Sequence, residues 1–170
     1  MDSAAESQRA LNELGDTFLE PFVSATRDTL RAMACIEVVV CSVSRNPPVS
    51  PSPGMTAVLG LGSATLLLTF PEETATAVAK RVLAGVTDDL SESIVRDCIG
   101  EVANVVGGQA KALLAERPFR ITLSMPKVVT DPLAELEPSR GLECETVFFS
   151  TDLGEFTLRL LSGCLTSRAD

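Results

Sequence analysis

Residues 91–117 read SESIVRDCIGEVANVVGGQAKALLAER, and the periodicity of this stretch decides the fold. Asp97, Glu101, Asn104, Gly108 and Lys111 recur at 4-3-4-3 spacing. At ~100° per residue they fall within about ±40° of one direction on an α-helix, while Val95, Cys98, Val102, Val106, Gln109 and Leu113 gather on the far side. The pattern predicts one long helix from Ser91, a residue type suited to capping, to Arg117, just before Pro118. One face of that helix is buried and the other is displayed.

Gly100, Ala103, Gly107 and Ala112 flank the stripe, so the displayed surface is expected to be smooth apart from a carboxylate and a carboxamide. Each mid-helix glycine forgoes about 1 kcal/mol relative to alanine, so Gly100, Gly107 and Gly108 together give up roughly 3 kcal/mol of helix propensity. Two uses explain that expense. A docking surface needs bare backbone, and so does a helix that packs closely on another element of its own protein. Only the first also accounts for Glu101 and Asn104 beside the glycines.

Outward from this helix the chain alternates other patterns. Leu11, Leu14, Phe18, Phe22, Ala25, Thr29 and Ala32 predict a first helix over residues 8–33, with Pro21 kinking or dividing it. Residues 36–44 form a β-branched run, and residues 46–54 hold four prolines and read as a loop. Residues 55–60 and 64–70 predict a hairpin turning at Gly60 or Gly62. Pro71-Glu72-Glu73 opens a helix that ends at Gly85. Strands follow over 120–129, 142–150 and 155–162, the last two joined by Asp152-Leu153-Gly154, with 130–140 as an exposed loop. This order implies a single α+β domain over residues 1–170: a largely antiparallel sheet with long amphipathic helices packed on one face.

Composition narrows the function. At 170 residues and 45% apolar content the chain can build one well-buried core. A net charge of −9 argues against nucleic acid and against acidic membrane surfaces. The most apolar stretch, residues 57–70, is too short and too interrupted to span a bilayer. Residues 1–9 lack the basic and apolar regions of a secretory signal, so a cytoplasmic location is expected. Without histidine, tryptophan or tyrosine the chain has no imidazole base and no serine–histidine triad. Its five cysteines include no C-x-x-C pair, so neither a zinc site nor a disulfide framework is indicated, and Cys98 reads as a small buried hydrophobe. Residues 107–111 lack the G-x-x-x-x-G-K-[ST] pattern and lie inside a helix, which excludes a nucleotide loop.

Asp97-x3-Glu101-x2-Asn104, followed by Gly108 and then Pro126, resembles the signature of the CheC/CheX/FliY family of bacterial chemotaxis phosphatases, and with one copy it is most similar to CheX. The family places a proline at about this distance downstream, and the spacing here is one residue shorter. The order of elements matches over nearly the whole chain. A second motif starts at Asp16 and Glu20, but Val23 stands where asparagine is required, so one site per chain is expected and Asp16 and Glu20 read as solvated helix residues.

The resemblance implies removal of phosphate from the aspartyl-phosphate of a CheY-like receiver domain. It implies Glu101 and Asn104 as catalytic residues, with Asp97, Gly100, Gly107, Gly108 and Lys111 at the partner surface. It further implies no cofactor on this chain, Mg²⁺ in the receiver and possible homodimerisation. Two other readings of the same residues stand beside it. One is a non-catalytic CheX-like module that binds a receiver or a chemotaxis component, and the other is a structural relative of flagellar switch proteins.

Overall fold

The computed structural model describes residues 18–48, 53–117, 119–131 and 141–163, together with Ala5 and Arg9. In chain order its elements are α1 (Glu20–Ala34), β1 (Val39–Arg45), β2 (Gly54–Gly60), β3 (Ala64–Pro71), α2 (Glu72–Val82), α3 (Glu92–Leu114), β4 (Lys127–Val129), β5 (Glu143–Thr151) and β6 (Gly154–Ser162). The strands form one antiparallel sheet in the order β1-β5-β6-β3-β2-β4, so the expected α+β class is what the chain adopts.

The two faces of the sheet follow from strand alternation. Val147 and Phe149 of β5, Phe156, Leu158 and Leu160 of β6, Leu66, Leu68 and Phe70 of β3, and Ala57 and Leu59 of β2 point to the helices and form the core with them. The register carries this through: Phe149 pairs with Phe156, Leu68 with Leu158 and Leu66 with Leu59. Phe149 and Phe156 stack at 4.7 Å between centroids, as do Phe70 and Phe156. α3 lies on β2 and β4, α2 lies on β2, β3 and β6, and α1 packs chiefly on α3.

Several expected boundaries move, each for a local reason. Pro21 does not kink a longer helix within the described residues; it sits in the first turn of α1, where its missing N–H costs no helical bond. Most of residues 8–17 lie outside the described residues, as do 49–52 and 132–140 of the two expected loops. Glu20 is not a solvated residue: half-buried, it accepts a hydrogen bond from Arg117 at 2.7 Å, which ties the start of α1 to the end of α3. The strand expected over 120–129 shrinks to Lys127–Val129, because Pro126 has no N–H to continue the ladder with β2. Just upstream Ser124 replaces that pairing, donating its N–H to the Gly60 carbonyl at 3.0 Å and accepting the Gly60 N–H on Oγ at 2.8 Å.

Candidate functional site

α3 is held at both ends and along its inner face, so its outer face has a fixed orientation. At the start, Ser91 is the capping residue by position, yet its side chain makes no capping bond; its N–H instead donates to Asp89 Oδ1 at 2.9 Å. One turn on, Arg96 donates to Glu92 at 2.7 Å and to the Val128 carbonyl at 3.1 Å, fastening the helix to β4. Farther along, Thr29 Oγ1 lies 3.3 Å from Gln109 Oε1, joining α1 to α3. Val95, Cys98, Val102 and Val106 are buried as the periodicity requires. Leu113 departs from that expectation at 44% exposure, while Ala110 and Leu114 of the same turn are buried.

All five residues of the stripe, Asp97, Glu101, Asn104, Gly108 and Lys111, are exposed. Glu101 and Asn104 stand three residues apart, which places their Cβ atoms about 5–6 Å from each other on one side of the helix. Neither side chain has a hydrogen-bond partner among the described residues. A carboxylate acceptor and a carboxamide that both donates and accepts are therefore presented together, ready for groups from outside the chain.

The small residues divide between two uses that the sequence left open. Gly108 has no atom within 4 Å of where a Cβ would stand, so it belongs to the displayed face. Gly107 is buried, and a Cβ there would run into Leu59 of β2 and lie 3.5 Å from Leu123. Its expected place at the partner surface is corrected: its bare backbone lets α3 settle on the sheet. Gly100 is intermediate, half-buried, with a Cβ position 3.4 Å from Val128. Ala103 is likewise buried. Close packing on β2 and β4 thus accounts for one flank of the stripe.

Those same contacts reveal a residue that periodicity missed. Gly100 lies beside Val128 and Gly107 beside Leu123, so residues 123–128 run antiparallel along the flank of α3. By interpolation Met125 and Pro126 stand level with Ala103 and Asn104. Met125 is 87% exposed, while Pro126 is half-buried at the entry to β4. The backbone bearing Met125 is fixed by the two bonds between Ser124 and Gly60, and Ser124 Oγ also donates to the Met125 carbonyl at 3.2 Å. An apolar side chain held out in solvent at the height of Asn104 had no signal in a sequence read as a regular strand.

The thiol of Cys98 is buried and desolvation pushes its pKa up, the behaviour of a packing residue rather than a nucleophile. Among the described residues no group of three or more His, Cys, Asp or Glu side chains is placed to hold a metal ion. No helix among them is long and apolar enough to cross a membrane.

Residues 53–150, which include the whole of α3, match the family described as chemotaxis phosphatase CheX. Among solved structures, the chain is similar to a chemotaxis protein CheX from Desulfovibrio desulfuricans, at 26% identity and a TM-score of 0.72, covering 85% of this chain and 99% of that one. It is similar to CheX from Vibrio vulnificus at 24% identity and a TM-score of 0.69, covering 85% and 97%. The CheX-CheY-BeF₃-Mg²⁺ complex from Borrelia burgdorferi gives 20% identity and a TM-score of 0.64, covering 85% and 96%, and there the likeness is one of fold. No curated protein sequence matches the chain.

Proposed function

The chain belongs to the CheX family of chemotaxis phosphatases, and from that premise we propose that it hydrolyses the aspartyl-phosphate of a CheY-like receiver domain, with α3 entering the receiver's phosphorylated pocket. The observation that carries this reading is the pair Glu101 and Asn104, exposed one turn apart on a rigidly held helix with no partners within the described residues.

An acyl phosphate is already activated, so little covalent chemistry falls to the phosphatase. A water oxygen attacks phosphorus in line, the bond from phosphorus to the aspartyl oxygen breaks, and its electron pair leaves on the carboxylate, which needs no proton at neutral pH. Mg²⁺ and a lysine in the receiver neutralise the phosphoryl oxygens, so this chain's part is to orient the water. Asn104 does so with both ends of its carboxamide: the oxygen accepts from the water and the NH₂ donates to it, without any change of charge. Glu101 grips the receiver's lysine with a charge-assisted hydrogen bond and sets how deep the helix enters. Gly108 keeps the ridge low beyond Asn104, Met125 contacts the rim, and Asp97, Gly100 and Lys111 meet the receiver around the pair.

The test uses catalytic amounts of the chain with a phosphorylated CheY-like receiver and follows phosphate release. Wild type accelerates release, and Asn104→Ala and Glu101→Ala each remove most of the acceleration while the circular dichroism spectrum is unchanged. Equal release with wild type and with the double variant, alongside intact binding, would establish the non-catalytic module instead. Chelation of Mg²⁺ suppresses turnover through the receiver.

A further inference from the structure

The sheet face turned away from the helices holds a second, chemically different place. Across it Ser42, Phe148, Thr157 and Thr69 form one row, since Ser42 pairs with Phe148, Phe148 with Thr157 and Thr157 with Thr69. Arg159 stands in the adjacent row, two residues along β6 from Thr157. A cavity of about 380 Å³ opens over these residues. Arg159 lines it and is only 8% exposed, and its Nε is buried with no hydrogen-bond partner among the described residues. None of the ion pairs among the described residues involves this guanidinium.

Arginine does not shed its proton in proteins, so a guanidinium in this position keeps its charge and its donors. A buried charge without a partner is strongly unfavourable, and such groups are normally completed by an ion, a ligand or ordered water. Desolvation lowers the pKa of Arg159, with a smaller opposing influence from Cys144. The remaining lining sets what can complete it. The planar fork of arginine matches a carboxylate, and the Thr157 hydroxyl lining the same cavity offers a further donor. Phe148, half-buried, supplies an apolar wall. Glu155 lines the cavity four residues along β6, roughly 13 Å away at about 3.3 Å per residue, and disfavours a second negative charge at that end.

We propose that this cavity binds a small monocarboxylate with an apolar body, its carboxylate on Arg159 and its body against Phe148. The proposal is independent of the phosphatase reading, because it concerns the face of the sheet opposite α3.

The experiment records the Arg159 Nε–H resonance in the uniformly ¹⁵N-labelled full chain during titration with benzoate, with benzamide as the uncharged isostere and with inorganic phosphate. Benzoate is expected to move that resonance saturably, while benzamide and phosphate leave it in place. Calorimetry should then show benzoate affinity falling at least about tenfold in Arg159→Gln, in keeping with loss of a charge-assisted pair. A response to phosphate equal to that of benzoate would overturn the assignment in favour of a plain anion hole. An equal response to benzamide, or none to benzoate, would overturn it altogether. Should Arg159→Gln fail to fold, the wild-type titration decides between these outcomes alone.

Discussion

Gly107 and Gly108 are adjacent in sequence and identical in chemistry, yet α3 uses them for opposite purposes. A Cβ at Gly107 meets Leu59 and approaches Leu123, whereas a Cβ at Gly108 meets nothing within 4 Å. One glycine brings the helix onto its own sheet. The other keeps the outer ridge bare. The difference, a single 100° step around the axis, divides α3 into an inner face that sets stability and an outer face on which the proposed chemistry rests. Substitutions on the two faces should therefore separate cleanly into those that change unfolding and those that change turnover.

The largest effect is expected at Asn104. Asn104→Ala should lower the rate of receiver dephosphorylation by about 100-fold or more, the scale on which a misplaced reactant is penalised, with thermal stability held or slightly raised by the better helix former. A loss of activity accompanied by a comparable loss of stability would break the division, because it would place Asn104 on the structural side. On the inner face, Gly107→Ala sets an overpacking cost of about 1–3 kcal/mol against about 1 kcal/mol of gained helix propensity. The net expectation is destabilisation by up to about 2 kcal/mol, measured by urea unfolding, with turnover per folded molecule preserved. A stabilised Gly107→Ala would mean that Leu59 swings aside and that the inner contact is looser than the buried side chains indicate.

How much of this was legible before the structure depends on the length scale of the signal. The long helix, the stripe on it and the hairpins are written in local periodicity, and they stand where the residues put them. The two uses of the glycines are not local: they depend on which flank of α3 meets β2, and that is fixed by residues more than forty positions away, such as Leu59. Met125 was hidden for a related reason. The apolar alternation through residues 120–129 promises a strand, but Pro126 lacks the N–H that would extend pairing with β2, and Ser124 takes over the bonding to Gly60 with its backbone N–H and its hydroxyl. The interruption turns Met125 outward to solvent at the level of Asn104.

Met125 lies on the sheet's flank yet belongs, in the proposed reading, with the outer face of α3. Met125→Ser removes an apolar contact of which only part is buried on docking, so KM for the phosphorylated receiver should rise about five- to tenfold, or roughly 1 kcal/mol, with kcat little changed. Stability should stay within about 0.5 kcal/mol, as for an exposed position. A fall in kcat equal to that of Asn104→Ala would instead mean that Met125 helps set the depth of the helix.

The smallest change is the one that isolates the argument most cleanly. Gly108→Ala adds one methyl group to open space, and it removes a helix penalty of about 1 kcal/mol, so the midpoint of thermal unfolding should rise by about 2–4 °C. If the ridge must stay low for α3 to enter a receiver, the same methyl group meets the partner in the complex, and kcat/KM falls several-fold in the more stable protein. Gain of stability with loss of turnover cannot come from a packing role, which would move both in the same direction. Gain of stability with unchanged turnover would show that bareness at this position serves no docking step, and would confine the entering surface to Glu101, Asn104 and the residues toward Asp97.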